Sequence, residues 1–236
     1  MPQAIKISPN TVLLKSDPEL PLSKTWFDPS FWQSQGELAG TGNGRGAVWF
    51  INSQFGSFVL RRYRRGGMIA KLNKNRFLFT GKVRTRPWLE LALLEKMLNL
   101  DLPVPRPIGG LYSVSAGFYQ ALLLTEKIQG AQDLFDLIKS EQHATINWQD
   151  IGCVVKRFHK NGIYHSDLNC HNIMIDEQQK VWIIDFDKCE QKTPHDTWMK
   201  SNIERLKRSL DKESSKHTNF RVSEKQWQAF LEGYHG

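Results

Sequence analysis

The chain has 236 residues, enough for one domain or a compact two-lobed pair with a sizeable core. Its 40% apolar content and eight tryptophans exclude a disordered chain, and no apolar run is long enough to span a bilayer. The net charge of +8 is concentrated: no acidic residue lies between Glu37 and Glu90, an interval holding Arg45, Arg61, Arg62, Arg64, Arg65, Lys71, Lys74, Arg76, Lys82, Arg84 and Arg86.

Such a block suits polyanions: nucleotide phosphates, nucleic acid or anionic lipid. The plainer reading is a solvated basic face. Cys153, Cys170 and Cys189 are odd in number and form no CxxC pair, so reduced thiols in a cytosolic protein are expected rather than a disulfide framework or a zinc site. The segment Met1 to Leu14 has no basic stretch followed by an apolar one, so no signal peptide is expected, and any membrane contact would be peripheral.

Along the chain, Asp28-Pro29 reads as a helix cap followed by Pro at the first helical position, opening a short helix through Phe31 and Trp32. Gly40-Thr-Gly42-Asn-Gly44-Arg-Gly46 then precedes an apolar run, Ala47 to Ile51. Glycines between strands let backbone N–H groups approach phosphates, although such a run is also a common hairpin turn. A turn at Gln54 to Gly56 leads into a strand from Ser57 to Arg61. After Arg86-Pro87, residues Trp88 to Leu98 predict an amphipathic helix with Leu91, Leu94 and Leu98 on one face. Pro103, Pro105 and Pro107 predict an extended linker. Phe118 to Thr125 is a strand, and Glu126 to Gly130 a hinge. Helices follow from Asp133 to Lys139, from Trp148 to Lys160, around Ile203, Leu206 and Leu210, and from a Ser223 cap to Gly233.

Between the second and third of these helices lies His165-Ser-Asp167-Leu168-Asn-Cys-His-Asn172, which fits H-x-D-L-x-x-x-N. That is the catalytic-loop pattern of protein-kinase-like phosphotransferases. Ile173 to Ile175, a polar turn and the apolar strand Val181 to Ile184 lead to Asp185-Phe-Asp187, where those enzymes hold Mg²⁺. Phosphoryl transfer asks little covalent help of a protein; it needs an oriented nucleophile and compensation of phosphate charge. Asp167 would accept or orient the proton of an acceptor hydroxyl. Asn172 offers a neutral oxygen and Asp185 a carboxylate to a hard cation. His165 is expected to order the loop rather than move a proton.

The element order resembles the protein-kinase-like fold over nearly the whole chain. It implies an α+β, bilobal architecture: a small β-rich N-lobe over residues 1–127 binding nucleotide phosphates, and a short helical C-lobe over 128–236 carrying the catalytic loop, the metal site and the acceptor. On this resemblance Arg61 stands where the third-strand Lys usually stands, and Glu90 matches the helix Glu that pairs with it. Arg61 is expected to reach the phosphates, with Arg62 on the opposite face of the strand. Gly42, Gly44, Gly46 and, at the hinge, Glu126 complete the expected nucleotide site. Arg for Lys, Asp187 for Gly, the absence of Ala-Pro-Glu and the short C-lobe depart from protein kinases. They point to a small-molecule or lipid acceptor.

Trp32-Gln, Gly44-Arg-Gly46, Val59-Leu-Arg-Arg-Tyr-Arg-Arg-Gly-Gly67, Val104-Pro-Arg-Pro107 and His165-Ser-Asp-Leu-Asn together resemble the 3-deoxy-D-manno-octulosonic acid (Kdo) kinases, within the lipopolysaccharide core kinases of Gram-negative bacteria. This resemblance implies ATP and Mg²⁺, transfer to the 4-hydroxyl of Kdo in a Kdo–lipid A acceptor, and work by a monomer at the anionic cytoplasmic face of the inner membrane. Other readings are a kinase of another sugar-like or antibiotic hydroxyl compound, and a membrane-binding pseudokinase. The basic block disfavours a pocket for a cationic antibiotic. The joint presence of Asp167, Asn172 and Asp185 counts against a pseudokinase. No module for reading bases is apparent, so nucleic acid is not an expected partner.

Overall fold

The structure, a computed structural model, describes residues 1–42, 48–64, 75–140 and 146–236. It divides into two compact units, residues 1–96 with 106–127 and residues 97–105 with 128–236.

The first unit is an antiparallel sheet. Its strands are β1 (Gln3–Ser8), β2 (Thr11–Lys15), β3 (Leu38–Thr41), β4 (Val48–Ser53), β5 (Gly56–Arg62), β6 (Phe77–Leu78), β7 (Pro107–Ser115) and β8 (Phe118–Glu126). The order is β1-β2-β7-β8-β5-β4-β3, with β6 against β8. Period-two alternation gives the sheet two apolar faces. Leu13, Ile51, Phe58, Leu60, Leu111 and Leu124 pack with Trp26, Phe27 and Trp32 on one. Helix α1 (Pro29–Ser34) supplies Trp32; the Asp28 carboxylate accepts from Ser30 N–H and Pro29 opens the first turn. The indole N–H of buried Trp32 donates to Trp26 O at 2.8 Å.

On the other face Leu14, Tyr63, Tyr112, Tyr119, Ala121 and Leu123 meet Leu91 of helix α2 (Arg86–Leu98). That helix begins two residues before the expected Trp88, because Pro is tolerated in a first turn. Its inner face is also wider than the expected Leu91–Leu94–Leu98 stripe: Leu93 and Met97 are buried while Leu98 is half-buried. The expected proline linker also needs correction: Pro107 is the first residue of β7, at a sheet position where a missing N–H is tolerated. The β1–β2 hairpin has no counterpart among the expected elements.

Among its described residues the second unit has four helices: α3 (Leu134–Lys139), α4 (Trp148–Lys160), α5 (Asp196–Lys216) and α6 (Glu224–His235). Short strands β9 (Gln132–Asp133), β10 (Ile163–Tyr164), β11 (Ile173–Ile175), β12 (Val181–Ile183) and β13 (Glu190–Gln191) join them. Asp133, Asn147 and Ser223 cap α3, α4 and α6, the last in a reciprocal capping box with Gln226. Helices α4 and α6 touch backbone to backbone. A Cβ on Gly152 would overlap Phe230 O, and one on Gly233 would overlap Gln149 O.

Candidate active site

In the first unit one carboxylate organises the polar residues of the sheet. Alternation along β5 sends Phe58 and Leu60 to the tryptophan face and Arg61 and Tyr63 toward α2. Glu90 of α2 is only 4% exposed. Its Oε1 accepts from Arg61 Nη2 at 2.6 Å and its Oε2 from Tyr63 O–H at 2.7 Å. Two donors thus satisfy a carboxylate that would be costly to bury alone. Arg62 turns the other way, its guanidinium 5.4 Å from the Trp49 ring centroid. At the end of β8, Glu126 Oε2 accepts from Arg106 Nε at 2.9 Å, and Arg106 also pairs with Asp17. The Glu126 side chain is therefore engaged in an ion-pair network. Gly42 closes the β3–β4 hairpin, its N–H donating to Val48 O at 3.1 Å, and a Cβ there would sit 3.2 Å from Val48 Cβ. Gly44 and Gly46 lie outside the described residues, as do Arg65, Lys71 and Lys74 of the basic block.

In the second unit the loop from His165 to Asn172 is held by its own side chains. The Asp167 N–H donates to His165 Nδ1 at 3.2 Å, so the proton sits on Nε2, which donates to Ile184 O at 3.0 Å. Burial holds the ring's pKa below the usual value. A neutral imidazole thus ties the loop to the end of the following strand, as its expected ordering role requires. The Asn172 Nδ2 donates to Asp167 O at 2.9 Å, which fixes the amide and leaves its oxygen as an acceptor. Ile184 N–H donates to Asn172 O at 3.0 Å.

The β11–β12 hairpin sets the approach to Asp185. Ile173 pairs with Ile183 and Ile175 with Val181. The buried Asp176 carboxylate closes the turn, accepting from Gln178 N–H, Lys180 N–H and Trp182 Nε1–H at 2.8–3.0 Å. Asp185 then adopts a left-handed backbone, φ 64°. Few side chains tolerate that conformation, and Asp is among those that do. Non-glycine residues held there cluster at functional sites. Phe186 anchors the turn, stacked on Phe158 at 5.9 Å and edge-on to His165 at 5.0 Å.

Helix α5 clamps the loop along its length. Asn202 Nδ2 donates to His165 O at 2.6 Å, Arg205 Nη1 to Asp167 Oδ1 at 2.8 Å, and Cys170 N–H to Ser209 Oγ at 3.0 Å. The spacing i, i+3, i+7 places the three on one stripe. A second chain of bonds lies behind: Tyr234 O–H donates to His159 Nδ1 at 2.8 Å, and His159 Nε2 donates to Asn202 Oδ1 at 3.2 Å. Burial lowers the His159 pKa to about 4, against a weaker opposing effect of the Asn202 bond.

The structure thus brings Arg61 and Glu90 together in one unit, and Asp167, Asn172 and Ile184, the residue before Asp185, into one bonded frame in the other. Sequence reasoning missed Tyr63 at Glu90 and Asn202, Arg205 and Ser209 at the loop. A polar stripe beside Leu206 and Leu210 was the available signal for the last three. Among the described residues no three His, Cys, Asp or Glu side chains gather as a metal cluster. Asn172 and Asp185 suit a cation that keeps several water or phosphate oxygens and takes one or two protein ligands.

A sequence model of the lipopolysaccharide kinase (Kdo/WaaP) family matches residues 29–234. The 3-deoxy-D-manno-octulosonic acid kinase of Mannheimia succiniciproducens is 41% identical over 229 residues, covering 94% of this chain and 95% of the relative. The enzymes of that name from Vibrio vulnificus strain YJ016 and Photobacterium profundum are 42% and 40% identical, covering 93% and 98% of this chain and 90% and 94% of theirs.

Proposed function

The chain belongs to the lipopolysaccharide kinase (Kdo/WaaP) family and is a kinase with a hydroxyl acceptor, and from that premise we propose that it uses ATP to phosphorylate the 4-hydroxyl of Kdo in a Kdo–lipid A acceptor. The observation that carries the chemistry is the Asp167 loop, fixed by His165 and Asn172 and followed by a left-handed Asp185. The choice of acceptor leans on the names of the relatives, and the 4-position on the resemblance read from the sequence.

In this reading Asp167 orients the acceptor hydroxyl and takes its proton. The acceptor oxygen bonds to the terminal phosphorus as the bond to the departing nucleoside diphosphate breaks. Arg61, held by Glu90, contacts the nucleotide phosphates, and the Gly42, Gly44 and Gly46 run with Glu126 completes the nucleotide site. Asn172 and Asp185 would hold Mg²⁺, which neutralises phosphate charge when bound with the nucleotide. Asp185→Ala should abolish productive nucleotide use at any Mg²⁺ concentration. Asn172→Ala should need more Mg²⁺ but recover, because only a neutral ligand is lost. Titrating Mg²⁺ against rate checks this; unchanged metal dependence in the Asp185 variant would remove it from the site.

No helix among the described residues is long and apolar enough to cross a membrane. The basic block of the sequence supports a peripheral position on an anionic membrane surface; the cytoplasmic face of the inner membrane and the monomeric state are implied by the family resemblance alone. The deciding experiment is mass spectrometry of purified Kdo–lipid A after incubation with the protein and Mg·ATP, with the phosphorylated position read by NMR. A gain of one phosphate on the 4-hydroxyl is expected. An unchanged acceptor would rule the reading out, and phosphate on another hydroxyl would correct the position.

A further inference from the structure

We propose that Arg205 is the receptor for the acceptor's carboxylate, holding it beside Asp167; the inference rests on the acceptor reading above. Arg205 does not belong to the loop motif. It arrives on α5, whose register is fixed on either side by Asn202 at His165 O and Ser209 at Cys170 N–H. The guanidinium is thus delivered by a rigid element rather than by a flexible loop.

Its stabilising value as a surface ion pair is small. The two side chains are 45% and 61% exposed, and pairs in that setting contribute little to folding. The arrangement is better explained by what it leaves available. Among the described residues Arg205 makes one ion pair, through Nη1. A guanidinium has five N–H donors in a planar fork, so most of them remain to meet a second carboxylate. Asp167 uses Oδ1 for the pair and keeps lone pairs for a hydroxyl.

The chemistry of an octulosonic acid supplies the need. Such an acceptor brings its own negative charge up to an ionised general base, and like charges at close range repel. A fixed cation beside the base removes that penalty. It also sets where the sugar sits, because a bidentate carboxylate–guanidinium contact restricts both distance and plane. The sugar's carboxylate on Arg205 then aims a ring hydroxyl at Asp167.

The test compares the Kdo acceptor with the same acceptor carrying a carboxamide in place of the Kdo carboxylate. Parent, Arg205→Gln and Arg205→Lys are assayed for kcat and for KM of acceptor and ATP. With the acid acceptor, Arg205→Gln should raise acceptor KM about 10- to 100-fold, the range of a charged hydrogen bond. The ATP KM should stay at the parent value. Arg205→Lys should recover part of the loss, since it keeps the charge but not the fork. With the carboxamide, parent and Arg205→Gln should have the same acceptor KM. An equal loss on both acceptors would make Arg205 a holder of Asp167 only. A rise in ATP KM in place of acceptor KM would assign it to the nucleotide phosphates. Either result overturns the inference while leaving the Kdo reading intact. If the parent phosphorylates neither acceptor, the Kdo reading itself falls and takes the inference with it.

Discussion

The two units hold their key carboxylates in opposite ways. Glu90 is buried on a helix, packed under a sheet, and satisfied by Arg61 and Tyr63. Asp167 is largely exposed, while its loop is anchored on either side by buried His165, Leu168, Cys170 and Asn172 and by the hydrogen bonds around it. The first arrangement couples an ion pair to folding. The second leaves a charged group accessible while its neighbours carry the structural load. Removing Asp167 should therefore cost activity without stability, and removing Glu90 should cost both.

Asp167→Asn sharpens the contrast most. The exchange keeps the shape of the side chain and removes the carboxylate that the proposed mechanism uses as proton acceptor. Turnover should fall 10²–10⁴-fold, with ATP affinity and the thermal midpoint close to the parent's. Turnover within about tenfold of the parent would contradict the role.

Next in size is Glu90→Ala. It removes the buried carboxylate that accepts from both Arg61 and Tyr63, a loss on the order of 3 kcal/mol, readable by denaturant unfolding. It should also weaken ATP binding by loosening Arg61. Arg61→Ala should weaken it as well, and Arg62→Ala, stacked on Trp49, should do so less. A larger ATP effect at Arg62 would break the assignment.

The third prediction concerns the clamp behind the loop from His165 to Asn172. His159 is neutral in the fold, with a pKa of about 4 against about 6.5 unfolded. The unfolded chain takes up the proton more readily, so the contribution is complete above about pH 6.5. It is lost as pH falls toward 4. At pH 5 the loss from this group is on the order of 2 kcal/mol. Burial shifts His165 in the same direction, so the second unit should weaken as the medium acidifies. Amide hydrogen exchange in α4 and α5, which carry His159 and Asn202, reads this unit. In His159→Gln the acid slope should be shallower; an identical slope would place the sensitivity elsewhere.

The smallest effects per residue belong to the basic block. Replacing Arg64, Arg65, Lys71, Lys74 and Arg76 with Gln should weaken co-sedimentation with anionic vesicles, each residue contributing about 1 kcal/mol at low salt. Acceptor KM should rise and ATP KM should not. Unchanged sedimentation would make the block a solvated face.

The legible parts of this molecule are those encoded locally. Asp28-Pro29 and Ser223 announce their helices because caps and first-turn prolines act within a few residues. The loop from His165 to Asn172 is readable because its chemistry needs fixed residue types at fixed spacing. Arg61 and Glu90 could be matched only through a family pattern, since 29 positions separate them in sequence. Tyr63 carries no local signal as a site residue, and Asn202, Arg205 and Ser209 show only as a polar stripe beside Leu206 and Leu210. Each is an ordinary polar residue whose importance arises only when a sheet or a helix returns to a distant loop. The β1–β2 hairpin was missed for a related reason. Its outer strand is mostly exposed and offers little apolar alternation, and pairing with β7 stabilises it.

The turn closed by Asp176 separates two kinds of distance. Asn172 and Asp185 are related through space by the Ile173–Ile183 pairing and the Ile184-to-Asn172 bond, neither of which involves the turn. Extra residue pairs could lengthen this hairpin without moving either of these two residues. A search pattern with a fixed count between them would overlook such versions, whereas one that specifies strand, turn and returning strand would find them.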